Sequence, residues 1–240
     1  MAEIVRPSRR PRAKHIGIVA CSAEGAALCY RTLCAEAPGH LGEDFHPEVT
    51  MHTYPLGEYM RFVRAGDWDG VARLMLGSAE KLVRVGAEVL VCPDNTVHQA
   101  FDLVVRDSPV PWLHIAEVVA AEAVERGYRR VGVLGTRYLM EGPVYTSRLG
   151  ARDLESCVPT DEERSRIDEI IFGELVKGRF IAAARAYFGG VIARLAERGC
   201  DSVALACTEI PLLVSQEDAV LPVLDSTRLL ARAALRVATR

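Results

Sequence analysis

The feature that most restricts the fold of this chain is that one segment is written twice. Gly86-Ala-Glu-Val-Leu-Val-Cys-Pro-Asp94-Asn95-Thr96 aligns without a gap on Gly199-Cys-Asp-Ser-Val-Ala-Leu-Ala-Cys207-Thr208-Glu209. Each copy reads as the end of a polar helix, a short apolar strand, then a polar triplet. The register sets Asp94 opposite Cys207. Two halves that each deliver one proton-transfer side chain from a strand end can enclose a substrate between two bases.

The rest of the sequence extends the repeat. Short β-rich runs alternate with longer segments of helical period, the pattern of a parallel sheet covered by helices. The first half predicts strands at His15–Ala20, Val49–Tyr54, Val89–Cys92 and Pro111–Ile115, with helices over Glu24–Glu36, Trp68–Val85 and Glu117–Arg126. The pattern restarts at Arg130–Gly135 and continues through helices over Tyr145–Leu154, Asp161–Lys177 and Phe180–Arg198. A short strand is expected around Val158, further strands at Val203–Ala206 and Val220–Leu224, and a closing helix at Thr227–Val237. The expectation is an α/β chain of two pseudo-symmetric lobes, each a mostly parallel sheet flanked by helices, with the active site in the cleft between them. Lobe 1 spans residues 15–115 and lobe 2 spans 116–224. The terminal helix, about 225–240, joins lobe 1.

Composition excludes several classes of function. Half of the 240 residues are hydrophobic and the formal net charge is −3, which argues against nucleic acid or an anionic membrane as partner. Basic residues crowd only into positions 1–14, interleaved with Pro7 and Pro11, which reads as a disordered tail rather than a signal peptide. No apolar run is long enough to span a bilayer. Seven cysteines without a CxxC pair make neither a disulfide framework nor a zinc site, so no metal is expected. Reduced, buried thiols fit a cytoplasmic protein. Cys21, Cys92 and Cys207 stand apart because they fall at strand ends.

In open parallel sheets, ligands bind outside the carboxyl ends of the strands. That gathers Cys21-Ser22, Thr53, Asp94-Asn95-Thr96, Gly135-Thr136, Cys207-Thr208-Glu209 and Asp225-Ser226-Thr227 on the walls of one cleft. A thiol at the strand-to-helix turn of Cys207 can be held as thiolate by backbone N–H groups and the helix dipole. Asp94 can serve as general acid or base if burial lifts its carboxyl toward neutrality. It can equally orient the substrate and leave Cys207 as a single base. Cys92 is a further stand-in, although Pro93 and the strand keep it back. Asn95, Thr96 and Thr208 are hydrogen-bond donors suited to carboxylate oxygens and to a carbanion-like state, or local caps. Ser22, Thr53 and Thr136 are weaker carboxylate binders, and His98 either tunes Asp94 and its loop or sits on a helix surface.

These segments resemble those of the aspartate/glutamate racemase family, which usually reads Cys-Asn-Thr-x-His in the first copy and Cys-Thr-Glu in the second. Here the copies read Asp94-Asn95-Thr96-Val97-His98 and Cys207-Thr208-Glu209. Further matches are Gly135-Thr136 with Met140 and Tyr145, Glu174-Leu175-Val176-Lys177-Gly178, and Leu221-Pro222-Val223 leading to Asp225-Ser226-Thr227. The resemblance implies racemisation without pyridoxal phosphate or another cofactor, by two opposed bases across the α-carbon of an amino acid, and a homodimer. It implies that a lysine around Lys177 holds the substrate carboxylate, the alternative being a solvated lysine at a helix end. Glu209 either orients or activates Cys207 or caps a turn. The departure is Asp94, which stands where the family has its first cysteine. Some members carry an arginine soon after the second strand for a side-chain carboxylate. Tyr59 occupies that place here with Arg61 only nearby, which places aspartate and glutamate in question as substrates. Two other readings remain: a one-base decarboxylase or cis–trans isomerase of a dicarboxylate, and a catalytically weak protein that binds amino acids.

Overall fold

The computed structural model describes residues 13–240, so all but the last two residues of the expected basic tail lie outside the described residues. Its strands are β1 (Ile16–Ala20), β2 (Val49–Thr53), β3 (Val89–Val91), β4 (Trp112–Leu113), β5 (Arg130–Leu134), β6 (Glu155–Cys157), β7 (Ser202–Leu205) and β8 (Val223–Asp225). They form two four-stranded parallel sheets, ordered β2-β1-β3-β4 and β6-β5-β7-β8. The same order in each sheet is the repeat expressed in three dimensions. The inner strands β1, β3 and β7 are buried along their whole length, as parallel strands covered on both faces must be.

This order matters for function. The chain leaves β1 toward β2 on one side and returns as β3 on the other. The point of reversal is a crevice at the carboxyl ends of β1 and β3, with an equivalent crevice at β5 and β7. Glycines let the neighbouring strands and helices close tightly there. A Cβ on Gly25 would lie 2.1 Å from the Thr208 Oγ1, and one on Gly135 would lie 2.7 Å from the Ala206 carbonyl oxygen.

Most expected elements appear within a few residues, and the differences have local causes. The helix expected over Tyr145–Leu154 is Pro143–Gly150, started by a proline in its first turn and followed by Asp153 at φ 58. Val158 follows β6 rather than lying in it. The helix expected over Asp161–Lys177 ends at Gly173, and a 3₁₀ turn over Leu175–Lys177 follows. Helices Leu56–Ala65 and Phe101–Asp107 occupy stretches for which the pattern offers no element.

The final helix, Ser226–Ala238, packs on helix Ala23–Glu36 and sends Leu230, Ala234 and Leu235 into the core beneath β1. A paired Arg232–Glu36 contact, with both N–O distances 2.8 Å, fastens the two helices at the surface. Helix Ile115–Glu125 carries the chain from one core to the other. Ile115 belongs to the cluster under β1, whereas Ala116, Val119 and Ala120 pack with β5.

Candidate active site

A cleft opens where the two crevices meet, and both repeated triplets line it. Asp94 arrives from β3. Pro93 lacks a backbone N–H and ends the ladder, and the Asp94 Oδ1 then accepts from the Val97 N–H at 3.2 Å to begin the 3₁₀ turn Thr96–Ala100. Cys207 arrives from β7 in the same way, two residues after Leu205 and just before a helix with Pro211 in its first turn.

Each group is altered by its surroundings. Burial first, and then the charge of Glu209, pushes the Asp94 carboxyl up to about 6, against a restraining pull from the Val97 and Thr96 N–H groups and the Cys21 thiol. Burial also drives the Cys207 thiol well above its ordinary value, with the Glu209 charge adding to it and Asp94 contributing from across the cleft. At neutral pH the site therefore holds an ionised carboxyl on one side and a protonated thiol on the other.

Glu209 governs the second wall. Its Oε2 accepts from the Cys207 Sγ at 3.1 Å and from the Thr208 hydroxyl at 3.2 Å. Its Oε1 is buried with no partner, in a side chain that lines the cleft. Such an oxygen is costly to leave unsatisfied and is a ready acceptor for a ligand N–H.

Asn95 is fixed by a chain of bonds that crosses between the lobes. The Tyr145 hydroxyl donates to its Oδ1 at 2.8 Å, its Nδ2 donates to the Ser226 hydroxyl at 3.1 Å, and Ser226 donates to the Leu205 carbonyl at 2.8 Å. Thr96 and Thr136 share a hydroxyl contact of 2.9 Å from opposite lobes, and Ser22 meets Thr208 at 3.4 Å. Ser22 and Thr136 also cap the helices that follow β1 and β5. Capping and cleft-lining thus coexist in the same side chains.

His98 is a positioning residue for this loop. It is buried, and its Nε2 accepts from the Ile115 N–H at 3.2 Å, so its Nδ1 carries the hydrogen that is donated to the Asp94 backbone oxygen at 2.6 Å. Burial lowers its basicity to about 4, which keeps the ring neutral in that role.

Lys177 lies outside the cleft, and Thr53 lines an adjoining hollow with Cys21, Ser22 and Leu56. Gly178, at φ 69, ends the 3₁₀ turn Leu175–Lys177, which buries Leu175 and leaves Lys177 exposed. Thr53 ends the outer strand β2, and its hydroxyl turns to the Tyr54 carbonyl at 2.9 Å. Cys92 is fully buried below the site. Cys21, expected on the cleft wall without a role, gains a partner. The Cys21 thiol lies against Asp94, since β1 pairs with β3 at Ile18–Val91 and three more steps along each strand bring Cys21 level with Asp94. Its position at a strand end was the available signal. Tyr59, which stands where some racemases carry an arginine, also lines the cleft, as do Ile171 and Phe172, which nothing in their sequence neighbourhood marks.

Two parallel four-stranded sheets of the same strand order, with a cleft at their carboxyl ends, are the architecture of the racemases that this chain is similar to. The model of the Asp/Glu/Hydantoin racemase family matches residues 16–234, and the chain belongs to that family. A structure of an aspartate racemase homologue from Pyrococcus horikoshii superimposes with a TM-score of 0.82 at 30% identity, covering 95% of this chain and all of that one. A Yersinia pestis structure assigned as an Asp/Glu racemase gives 0.86 at 32% identity with the same coverage. Among characterised sequences, the broad specificity amino-acid racemase RacX of Bacillus subtilis is 21% identical over 199 residues, 83% of this chain and 85% of RacX.

Proposed function

We propose that the protein inverts the α-carbon of an amino acid without a cofactor, with Asp94 and Cys207 acting from opposite faces. The observation that carries this reading is the meeting of two unlike proton-transfer groups in one cleft, each delivered by the equivalent strand end of its lobe. In one direction the Asp94 carboxylate takes the α-proton, the C–H pair passes to the α-carbon as carbanion character, and the Cys207 thiol returns a proton to the other face. In the reverse direction the Cys207 thiolate is the base and the Asp94 acid is the donor. Asn95 and Thr96, and Thr208 once its hydroxyl turns from Glu209, supply hydrogen bonds to the substrate carboxylate as its charge grows, and the free Glu209 oxygen receives the ammonium. The α-proton is only weakly acidic, so this stabilisation must be strong in the transition state and not before it.

The resting protonation state favours abstraction by Asp94. Enantiomers have equal free energies in water, so kcat/KM is the same in both directions. The asymmetry appears as unequal kcat and KM for the two enantiomers. The protein acts as a reduced, cytoplasmic homodimer in this reading; light scattering of the purified chain tests the assembly.

The test is incubation of each enantiomer in D2O, following deuterium uptake and optical inversion together. Inversion accompanied by uptake is expected. Uptake with retention would reduce the site to one base, and no uptake with any amino acid would sink the racemase reading. Cys207→Ala should abolish inversion, whereas Asp94→Cys should raise it by restoring a second thiol.

A further inference from the structure

The walls of the cleft carry two kinds of side chain. Around the triplets they offer carboxyl, thiol, amide and hydroxyl groups. The same lining also includes Leu56, Tyr59 and Met60 of helix Leu56–Ala65 and Ile171, Phe172 and Val176 of the second lobe, with Tyr59 close enough to Asp94 and Cys21 to feel their charge. Among the described residues that line the cleft, the carboxyl groups are those of Asp94 and Glu209. Among the described residues, no lysine or arginine lines it.

The nearby cations are committed elsewhere. Arg61 pairs with Glu58 at 3.3 Å, lies over the Phe62 ring, and is mostly exposed. Arg137 follows Thr136 in sequence, but its guanidinium is held by Glu141, Asp161 and Ser165. Lys177 is exposed beyond the turn that carries Val176 into the wall. A second carboxylate on the substrate would be stripped of water beside two acids with no cation to meet it. An alkyl or aryl group would instead bury apolar surface against six apolar side chains.

We infer that the carbon inverted in this cleft carries an uncharged, apolar substituent, so that the substrate is an amino acid of the leucine, methionine or phenylalanine class and not aspartate or glutamate. The inference rests on the racemase reading of the same site and adds the identity of the side chain. Selectivity of this kind is a difference of two energies, and here the repulsive half is built in: the acidic lining disfavours a second negative charge as much as the apolar wall favours a neutral one.

The experiment measures kcat/KM for inversion of leucine, methionine, phenylalanine, aspartate and glutamate under one set of conditions. The best apolar amino acid is expected to exceed both acidic ones by at least tenfold, and a smaller ratio overturns the inference. Met60→Arg places a cation on the half-buried part of the wall, and should shrink that ratio at least tenfold, with melting temperature confirming that the variant is folded. A folded variant with an unchanged ratio also overturns it. If the wild-type protein exchanges no α-proton at all, the racemase reading fails separately, and thermal shift decides the side-chain preference alone. Stabilisation by leucine or phenylalanine beyond that by aspartate then supports the inference, while the opposite order or no shift with any of them ends it.

Discussion

At the scale of single residues, the site depends on a carboxyl held near neutrality. Asp94 must be ionised to take a proton, and its acid form dominates below about 6, so activity should fall about tenfold per pH unit beneath that value. A pH profile of kcat/KM measures this limb. Cys21 sets its position. The thiol lies against Asp94 and pulls its acidity toward the ordinary range, so Cys21→Ala should move the limb upward, while Cys21→Ser should keep it near the wild-type place. The same carboxyl costs stability. The unfolded chain holds this proton only below about 3.8, whereas the folded chain holds it up to about 6. Between those values the folded state binds more protons, so stability falls as pH rises through the window. At neutral pH the loss is about 3 kcal/mol. Asp94→Asn should therefore be inactive yet more stable than wild type at pH 8 in urea titration. The advantage should vanish below about pH 4. Little of this was legible beforehand. That Asp94 opposes Cys207 follows from the repeat, but its closeness to Cys21 depends on which strands are neighbours, and sheet order is not written in either segment.

At the scale of elements, the legible part is that which obeys a local period. Buried strands such as Ile16–Ala20 and the capped helix Trp68–Arg84 declare themselves because each residue's burial follows from its own element. The apolar wall does not, because Tyr59, Ile171 and Phe172 sit on helix faces that look like ordinary core stripes until the lobes meet. Lys177 shows the converse. A helix run through to residue 177 would have carried the side chain onward in register, but the chain departs from it at Gly173. The helix after β1 is placed by a glycine. Gly25 lies against Thr208 so closely that a methyl group there would overlap the Thr208 side chain at 2.1 and 2.5 Å. That backbone lies beside Cys207 and Glu209, so relief of the clash would displace the donors of the second wall. Gly25→Ala should lower kcat/KM by at least tenfold and stability by about 1–3 kcal/mol, as overpacked sites commonly do. Kinetics and denaturation of the same variant check both effects.

For the whole molecule, the question is whether two lobes with separate sheets behave as one unit. The last helix argues that they do. It follows β8 of the second sheet, yet Leu230 and Leu235 are fully buried in the core beneath β1, and it also packs on helix Ile115–Glu125. The Tyr145–Asn95–Ser226–Leu205 chain adds a buried polar tie behind the cleft wall, where its members come from both lobes and from that helix. Losing either lobe would strip the other of part of its core or leave buried polar groups unpaired. Leu230→Ala should therefore cost about 2–5 kcal/mol and leave a single unfolding transition, not a first step confined to lobe 1. Tyr145→Phe makes a sharper test of the tie. It removes one hydroxyl and leaves the buried Asn95 Oδ1 without its donor, at a cost of about 1–3 kcal/mol. Because Asn95 is then free to turn, kcat should fall more than stability alone explains, in a protein still folded at the assay temperature. Calorimetry showing two separate transitions in the wild-type chain would instead mean that the lobes are independent, and that the cleft is held by the substrate and not by the fold.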